Sequence, residues 1–430
     1  MTERPRATLA RSRTVKVARR LLVRPARWVW SRRTALPTPL VRLLDGLRRR
    51  VPDRWVRALV GRPRRVPPPP PPPQALPVPP AGERRVLIGP TNYAGQGWHW
   101  ARAVEQHVPG TGALSYALET RGFGFAVDYR VAPQAFHHNV VWQREFFELV
   151  SEQFTHVVFE AERPLFGRLH GLDPFLEARA LAERGIRVAM LAHGSDVRLP
   201  SRHATRHTWS PFNDRSWEGL DVLESVAATN LGRLAAFDGP VFVSTPDLLD
   251  DVPFATWCPV TVDLAKWHDT SPLLERQVPV VVHAPSHSRL KGTALVEPVL
   301  AQLEAEGLLS YRRVEGVLAQ EMPSVYRSAD IVLDQFGLGS YGVAACEALA
   351  AGKVVVGNVT DEVRARVRSL SGLDLPVVQA GPADLERVLR GLLADREAAR
   401  VSGRSGPAFV GSVHDGRLAA RQLADFLGAA

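Results

Sequence analysis

The chain has 430 residues, 45% of them hydrophobic, enough for two or three domains with real cores. Its formal net charge of +10 is unevenly spread: residues 1–65 hold 20 of the 54 Lys and Arg but only three of the 44 acids, so they carry +17 and the remainder −7. This excludes nucleic-acid binding through the body, and two cysteines far apart, Cys258 and Cys346, exclude a disulfide framework and a paired-cysteine zinc site.

A reducing compartment follows as the default. No run approaches the roughly 20 apolar residues of a spanning helix, and no apolar core of a secretory signal is expected at the N-terminus. Residues 1–65 form a basic arm in which 15–23 and 40–51 space their apolar residues as amphipathic helices do. With Trp28, Trp30 and Trp55 added, the arm suits an anionic membrane surface. Seven consecutive prolines from Pro67 to Pro73 then predict a stiff linker over 66–82.

From 83 onward, short apolar runs alternate with helical stretches. Strands are expected at 85–89, 156–160, 187–191 and 240–244, with a helix over 172–185. A second series has strands at 278–283, 311–315, 330–334 and 353–357, and helices at 293–306, 319–328 and 341–351. Such alternation predicts α/β architecture, two Rossmann-like domains each with a parallel sheet, over 83–262 and 263–430.

In open α/β sheets, ligands sit beyond the carboxyl ends of the strands. Four loops lie there. The glycine loop GLGSYG (337–342) lets backbone approach a ligand closely. Ser340 there is expected to cap the next helix, leaving the N–H groups of Tyr341, Gly342 and Val343 free for phosphate. Glu347, two turns beyond Ser340, would present a carboxyl to sugar hydroxyls. The loop 283–293 offers Arg289 and Lys291 to a diphosphate. HGSD (193–196) offers His193 and Asp196 to an acceptor hydroxyl. The loop 92–98 brings Asn92, Gly95 and Gln96 toward the same cleft.

The motif at 337–342 also fits the dinucleotide fingerprint G-x-G-x-x-G, with Asp361 and Glu362 about 20 residues on. A nicotinamide-dependent oxidoreductase would need this motif to follow the first strand of its domain, and at least two strands are expected to precede it. No metal-protease, P-loop or nucleophile-elbow pattern is present.

On the segments 283–293, 314–353, 243–263 and 193–198, the chain resembles the GT-B glycosyltransferases of family 4, in their actinobacterial-type branch. The resemblance covers roughly residues 84–425. It implies two facing Rossmann-like domains (GT-B), a nucleotide-sugar donor (a UDP- or GDP-sugar) held by the second, no cofactor, no required metal, and transfer with retention. It places the donor ribose on Glu347, the diphosphate on the N–H groups at 341–343, and Lys291 with Arg289 at the leaving group. Gly316 would read the base through its backbone, and His193 would stand by the acceptor. Two positions depart from the family pattern: Gly339 stands where an earlier Glu is common, and Ser286 where an Arg is. The expected function is therefore sugar transfer to a glycan or lipid-linked acceptor in cell-surface polysaccharide or glycoconjugate synthesis. The enzyme would work in the cytoplasm, held by its arm at the inner face of the plasma membrane. A catalytically silent scaffold of the same fold is the alternative.

Overall fold

The apolar runs come together as two separate parallel sheets in a computed structural model that describes residues 74–119 and 122–429. The first sheet contains β1 (Arg84–Gly89), β2 (Thr111–Leu118), β3 (Tyr129–Val131), β4 (His156–Glu160), β5 (Arg187–Ala192), β6 (Val241–Val243) and β7 (Thr256–Trp257), in the order β3-β2-β1-β4-β5-β6-β7. The second contains β8 (Val280–His283), β9 (Ser310–Arg313), β10 (Ile331–Leu333), β11 (Val354–Gly357) and β12 (Val377–Gln379), in the order β12-β11-β10-β8-β9. Every pairing in both is parallel. Val281, Val282, Ile331 to Leu333 and Val354 to Val356 are buried throughout, as strands covered by helices on both faces must be.

The helices expected at 15–23 and 40–51, and most of the proline run, lie outside the described residues. The end of the linker is not a free spacer. Gln74 accepts a hydrogen bond from the Ala132 N–H and donates to the Arg130 carbonyl, and the Tyr129 hydroxyl donates to the Ala75 carbonyl. This segment therefore covers the outer edge of β3, which β2 leaves unpaired on that side.

The chain leaves the first domain after β7, and the crossing is tightly stitched. The Trp100 indole donates to the Pro259 carbonyl, and Gln96 bonds both the N–H and the C=O of Thr261. His414 accepts the Val262 N–H at its own carbonyl and bonds the Val260 carbonyl through Nδ1. The last helix, Arg417–Leu427, falls by sequence within 263–430 but packs on the first sheet's layer. Its Ala419, Leu423, Phe426 and Leu427 share a buried cluster with Val86, Trp100 and Val104. That apolar stripe finds its counterpart on the helix Gln96–His107 rather than on the second sheet. No helix among the described residues is long and apolar enough to cross a membrane.

Candidate functional site

The loops after β8 and β10 are tied together at their bases. The Phe336 N–H donates to the Lys291 carbonyl, and a Cβ at Gly292, already at φ +72°, would stand 3.3 Å from the Gly337 nitrogen. That close approach carries Lys291 under the glycine loop. Its Nζ lies 2.7 Å from Oδ1 of Asp334, a nearly buried carboxyl at the end of β10 whose Oδ2 takes the Gly342 N–H at 3.4 Å. Asp334 thus fixes both the ammonium and the first residue before the helix Val343–Ala350.

This helix starts at Val343, with Gly342 as its cap residue and no side-chain cap. The capping role expected of Ser340 is therefore corrected. Ser340 is buried, its carbonyl takes the Gln335 side-chain amide at 2.6 Å, and its hydroxyl sits by Asp247. The Tyr341 side chain also turns away, its hydroxyl 3.1 Å from Nε2 of His414. The first-turn N–H groups of Val343 and Ala344 have no partner within the helix, and both residues line a cleft of ≈ 240 Å³ that Lys291 and Glu347 also line. Burial pushes the Glu347 carboxyl up to about 8, nearby Lys266 and Lys291 offset part of this, and Asp334 adds to it. Gly316, at φ +71° with open space beyond it, lies on the same wall.

Gly339 lies elsewhere. At φ +70°, a Cβ there would meet the His207 ring and the Thr360 methyl at 2.9 Å. The space of a side chain at 339 is taken by an imidazole from the first domain. His207 stacks on His203 at 4.1 Å, and burial, with Arg198 next, holds His203 down to about 3. Arg289 is also committed elsewhere: its Nε is 3.6 Å from Asp214, and its guanidinium covers the Trp217 ring at 5.2 Å.

On the first-domain side, the organising residue is Glu160, fully buried at the end of β4. It accepts the Asn92 N–H at 2.9 Å and the Thr91 N–H at 3.3 Å, and its other oxygen is 3.1 Å from Nε2 of His193. His193 is further enclosed by the rings of Tyr93 and Trp100. Of the expected acceptor residues, three spend their polar groups on the protein. Asn92 bonds the Ala126 carbonyl and the Trp98 N–H, Gln96 is saturated by Thr261, and Asp196 receives the N–H groups of His193 and Gly194. Gly95 backs onto the Phe125 ring. Asp196 also stands by the buried Glu162, whose carboxyl burial drives well above its ordinary range.

Lys291, Glu347, Val343 and Gly316 therefore converge on one cleft, while Arg289, Gly339, Ser340, Tyr341, Asn92, Gln96 and Asp196 hold the walls or lie beyond them. Sequence reasoning missed Asp334 and Glu160. Both are acids at the last position of an apolar run, which is the signal that could have marked them. Glu160→Ala leaves the buried Asn92 N–H, the half-buried Thr91 N–H and the His193 ring without their partner and is expected to cost about 2–4 kcal/mol of stability. Urea unfolding checks this, and Glu160→Gln should recover part of the loss.

No family model matches the chain, and no curated protein matches its sequence. Solved structures do resemble it. The sucrose-phosphate synthase of Thermosynechococcus elongatus is similar at 13% identity over 79% of this chain and 97% of its own, with a TM-score of 0.53. The Anabaena protein HepE, solved with UDP and glucose, is similar at 12% identity over 80% of this chain and 99% of its own, with a TM-score of 0.52. Its complex with UDP-glucose gives a TM-score of 0.51 at 11% identity. At such identities the likeness establishes architecture: two parallel-sheet α/β domains in the GT-B fold. Within that fold, the glycine motif follows β10, the third strand of its sheet in chain order, and not β8 as a dinucleotide fingerprint would require.

Proposed function

We propose that the chain is a glycosyltransferase of the family 4 type, moving a hexose from a UDP- or GDP-sugar to a glycan or lipid-linked acceptor with retention. The observation that carries this reading is the convergence of Lys291, the open first turn at Val343 and Ala344, and Glu347 on one cleft between two GT-B domains. A diphosphate at that turn would meet backbone donors and the helix dipole, with the Lys291 ammonium beside it. Charge grows on the diphosphate as the glycosidic bond breaks, so a fixed cation there lowers the barrier. Glu347, one turn further along, would take the ribose hydroxyls. His193, held by Glu160, would face the acceptor side. In this reading neither a cofactor nor a metal takes part in the step.

The structures of HepE with UDP and UDP-glucose support a sugar nucleotide as ligand by analogy of fold. The charge of +17 on residues 1–65 supports a seat on an acidic membrane surface, at the inner face of the plasma membrane, and through it cell-surface polysaccharide or glycoconjugate synthesis. Incubation with α-linked UDP- and GDP-sugars and an acceptor set, with the product anomer read by NMR, tests the reaction. An α-linked product supports it, and a β-linked product refutes retention. Deleting residues 1–65 should leave turnover of a soluble acceptor intact and abolish co-sedimentation with phosphatidylserine vesicles. Undiminished sedimentation would refute the membrane arm.

A further inference from the structure

One wall of the cleft comes from an unexpected place. The loop stretch 122–128, leading into β3 of the first domain, reaches the second, so that Phe123 and Phe125 line the same cleft as Gly316 and Val317. The loop is held from both sides. On its own domain, the Asn92 amide bonds the Ala126 carbonyl, the Arg130 guanidinium bonds the Phe125 carbonyl at 2.6 Å, and Asp128 is fastened by Arg102 and Ser115. Toward the other domain, the Ala319 N–H donates to the Phe123 carbonyl at 2.8 Å. The two rings stand 6.0 Å apart, inclined at 56°, and Phe123 leaves 40% of its surface exposed. An aromatic side chain this exposed, on a loop braced so firmly, lacks the partner that would cover it.

We infer that Phe123 and Phe125 are the base-stacking wall of a two-domain nucleotide clamp. The base of a nucleoside diphosphate lies against the rings while the backbone at Glu315 to Val317 meets its edge. This rests on the donor reading above and adds to it that the first domain grips the nucleoside as well as the acceptor. Polar side chains on this part of the wall are few. Glu315 is spent on Arg313 and Ser288, so the ring face supplies affinity with little demand on the base's identity. Because the loop is bonded across the cleft through Phe123 and Ala319, a nucleoside and the closed arrangement of the domains stabilise each other.

Calorimetric titration of the full chain with UDP, GDP and inorganic pyrophosphate tests this. In Phe125→Ala, Phe125→Leu and Phe123→Ala, affinity for the nucleoside diphosphate that the wild type binds should fall about ten-fold or more, while pyrophosphate affinity stays within about two-fold. Phe125→Leu keeps apolar bulk without a ring face, so its loss separates stacking from packing. Melting curves of each variant identify any that fail to fold, in which case Phe125→Leu decides. Wild-type nucleotide affinity in folded ring variants would overturn the clamp and leave the donor site standing. Equal losses for pyrophosphate would assign the rings a merely structural part and also overturn it. A wild type that binds none of the three ligands would remove the donor reading, and the clamp with it.

Discussion

Lys291→Ala is expected to lower kcat by about 10²–10³-fold with a much smaller change in KM. The ammonium has a nearly buried anionic partner, Asp334, 2.7 Å away, and lines the cleft by the open turn of the helix Val343–Ala350. In the ground state that partner satisfies it, so it contributes little to substrate binding. As the bond to the leaving diphosphate lengthens, negative charge accumulates within its reach, and the interaction strengthens where rate is decided. The size is that of removing one preorganised donor from a site of developing charge. A variant whose KM rises while kcat holds would contradict this role. Removing the ammonium also leaves Asp334 with only the weak Gly342 N–H bond at 3.4 Å, so Lys291→Ala should melt lower. Assays well below its melting temperature keep the two effects apart.

The second large effect falls on Glu347. Glu347→Ala is expected to weaken nucleoside diphosphate binding about ten- to a hundred-fold, the worth of one or two hydrogen bonds to a carboxylate. Its titration gives a sharper check. Burial raises this carboxyl from its ordinary 4.5 to about 8. A group that holds its proton more tightly when folded costs stability as pH climbs between those values, from 4.5 up toward 8. Glu347→Gln removes that cost. It should melt at the wild-type temperature near pH 4.5 and above it at pH 8. Ribose hydroxyls donate best to the ionised form, so wild-type affinity should climb from pH 6.5 to pH 8.5 while that of Glu347→Gln stays flat.

Much of this arrangement was legible in the sequence, for physical reasons. Parallel strands buried on both faces read as apolar runs, so β1, β4, β5, β8, β10 and β11 could be placed to within two residues. The Lys after β8 and the Glu on the helix after β10 stand where strand ends meet loops, and both reach the cleft. Strand β2 stayed hidden because Gly112, Ala113, Ser115 and Ala117 give it little β character, although it sits inside its sheet between β3 and β1. Ser340 misled because a hydroxyl directly before a helix expected to start at Tyr341 has the look of a cap, while the helix starts at Val343 with Gly342 in the cap position and Asp247 stands by the hydroxyl. Asn92, Gln96 and Asp196 suggested ligand contacts through their chemistry and their place in loops after a strand. Their partners, Ala126, Thr261 and the turn at His193, are chosen by the fold, and local pattern does not carry such choices. Gly339 carries a lesson of the same kind. Its missing side chain is matched by His207, 132 positions earlier in the chain, which comes to fill the same space.

The central claim is that the cleft holding Lys291 and Glu347 binds a sugar nucleotide. Calorimetric titration of the full chain and of Glu347→Ala with UDP, GDP, ADP, dTDP and NAD tests it most directly. UDP or GDP should bind the wild type, with an affinity that falls at least ten-fold in the folded variant. Binding of NAD alone, nucleotide binding indifferent to residue 347, or no binding at all would contradict it.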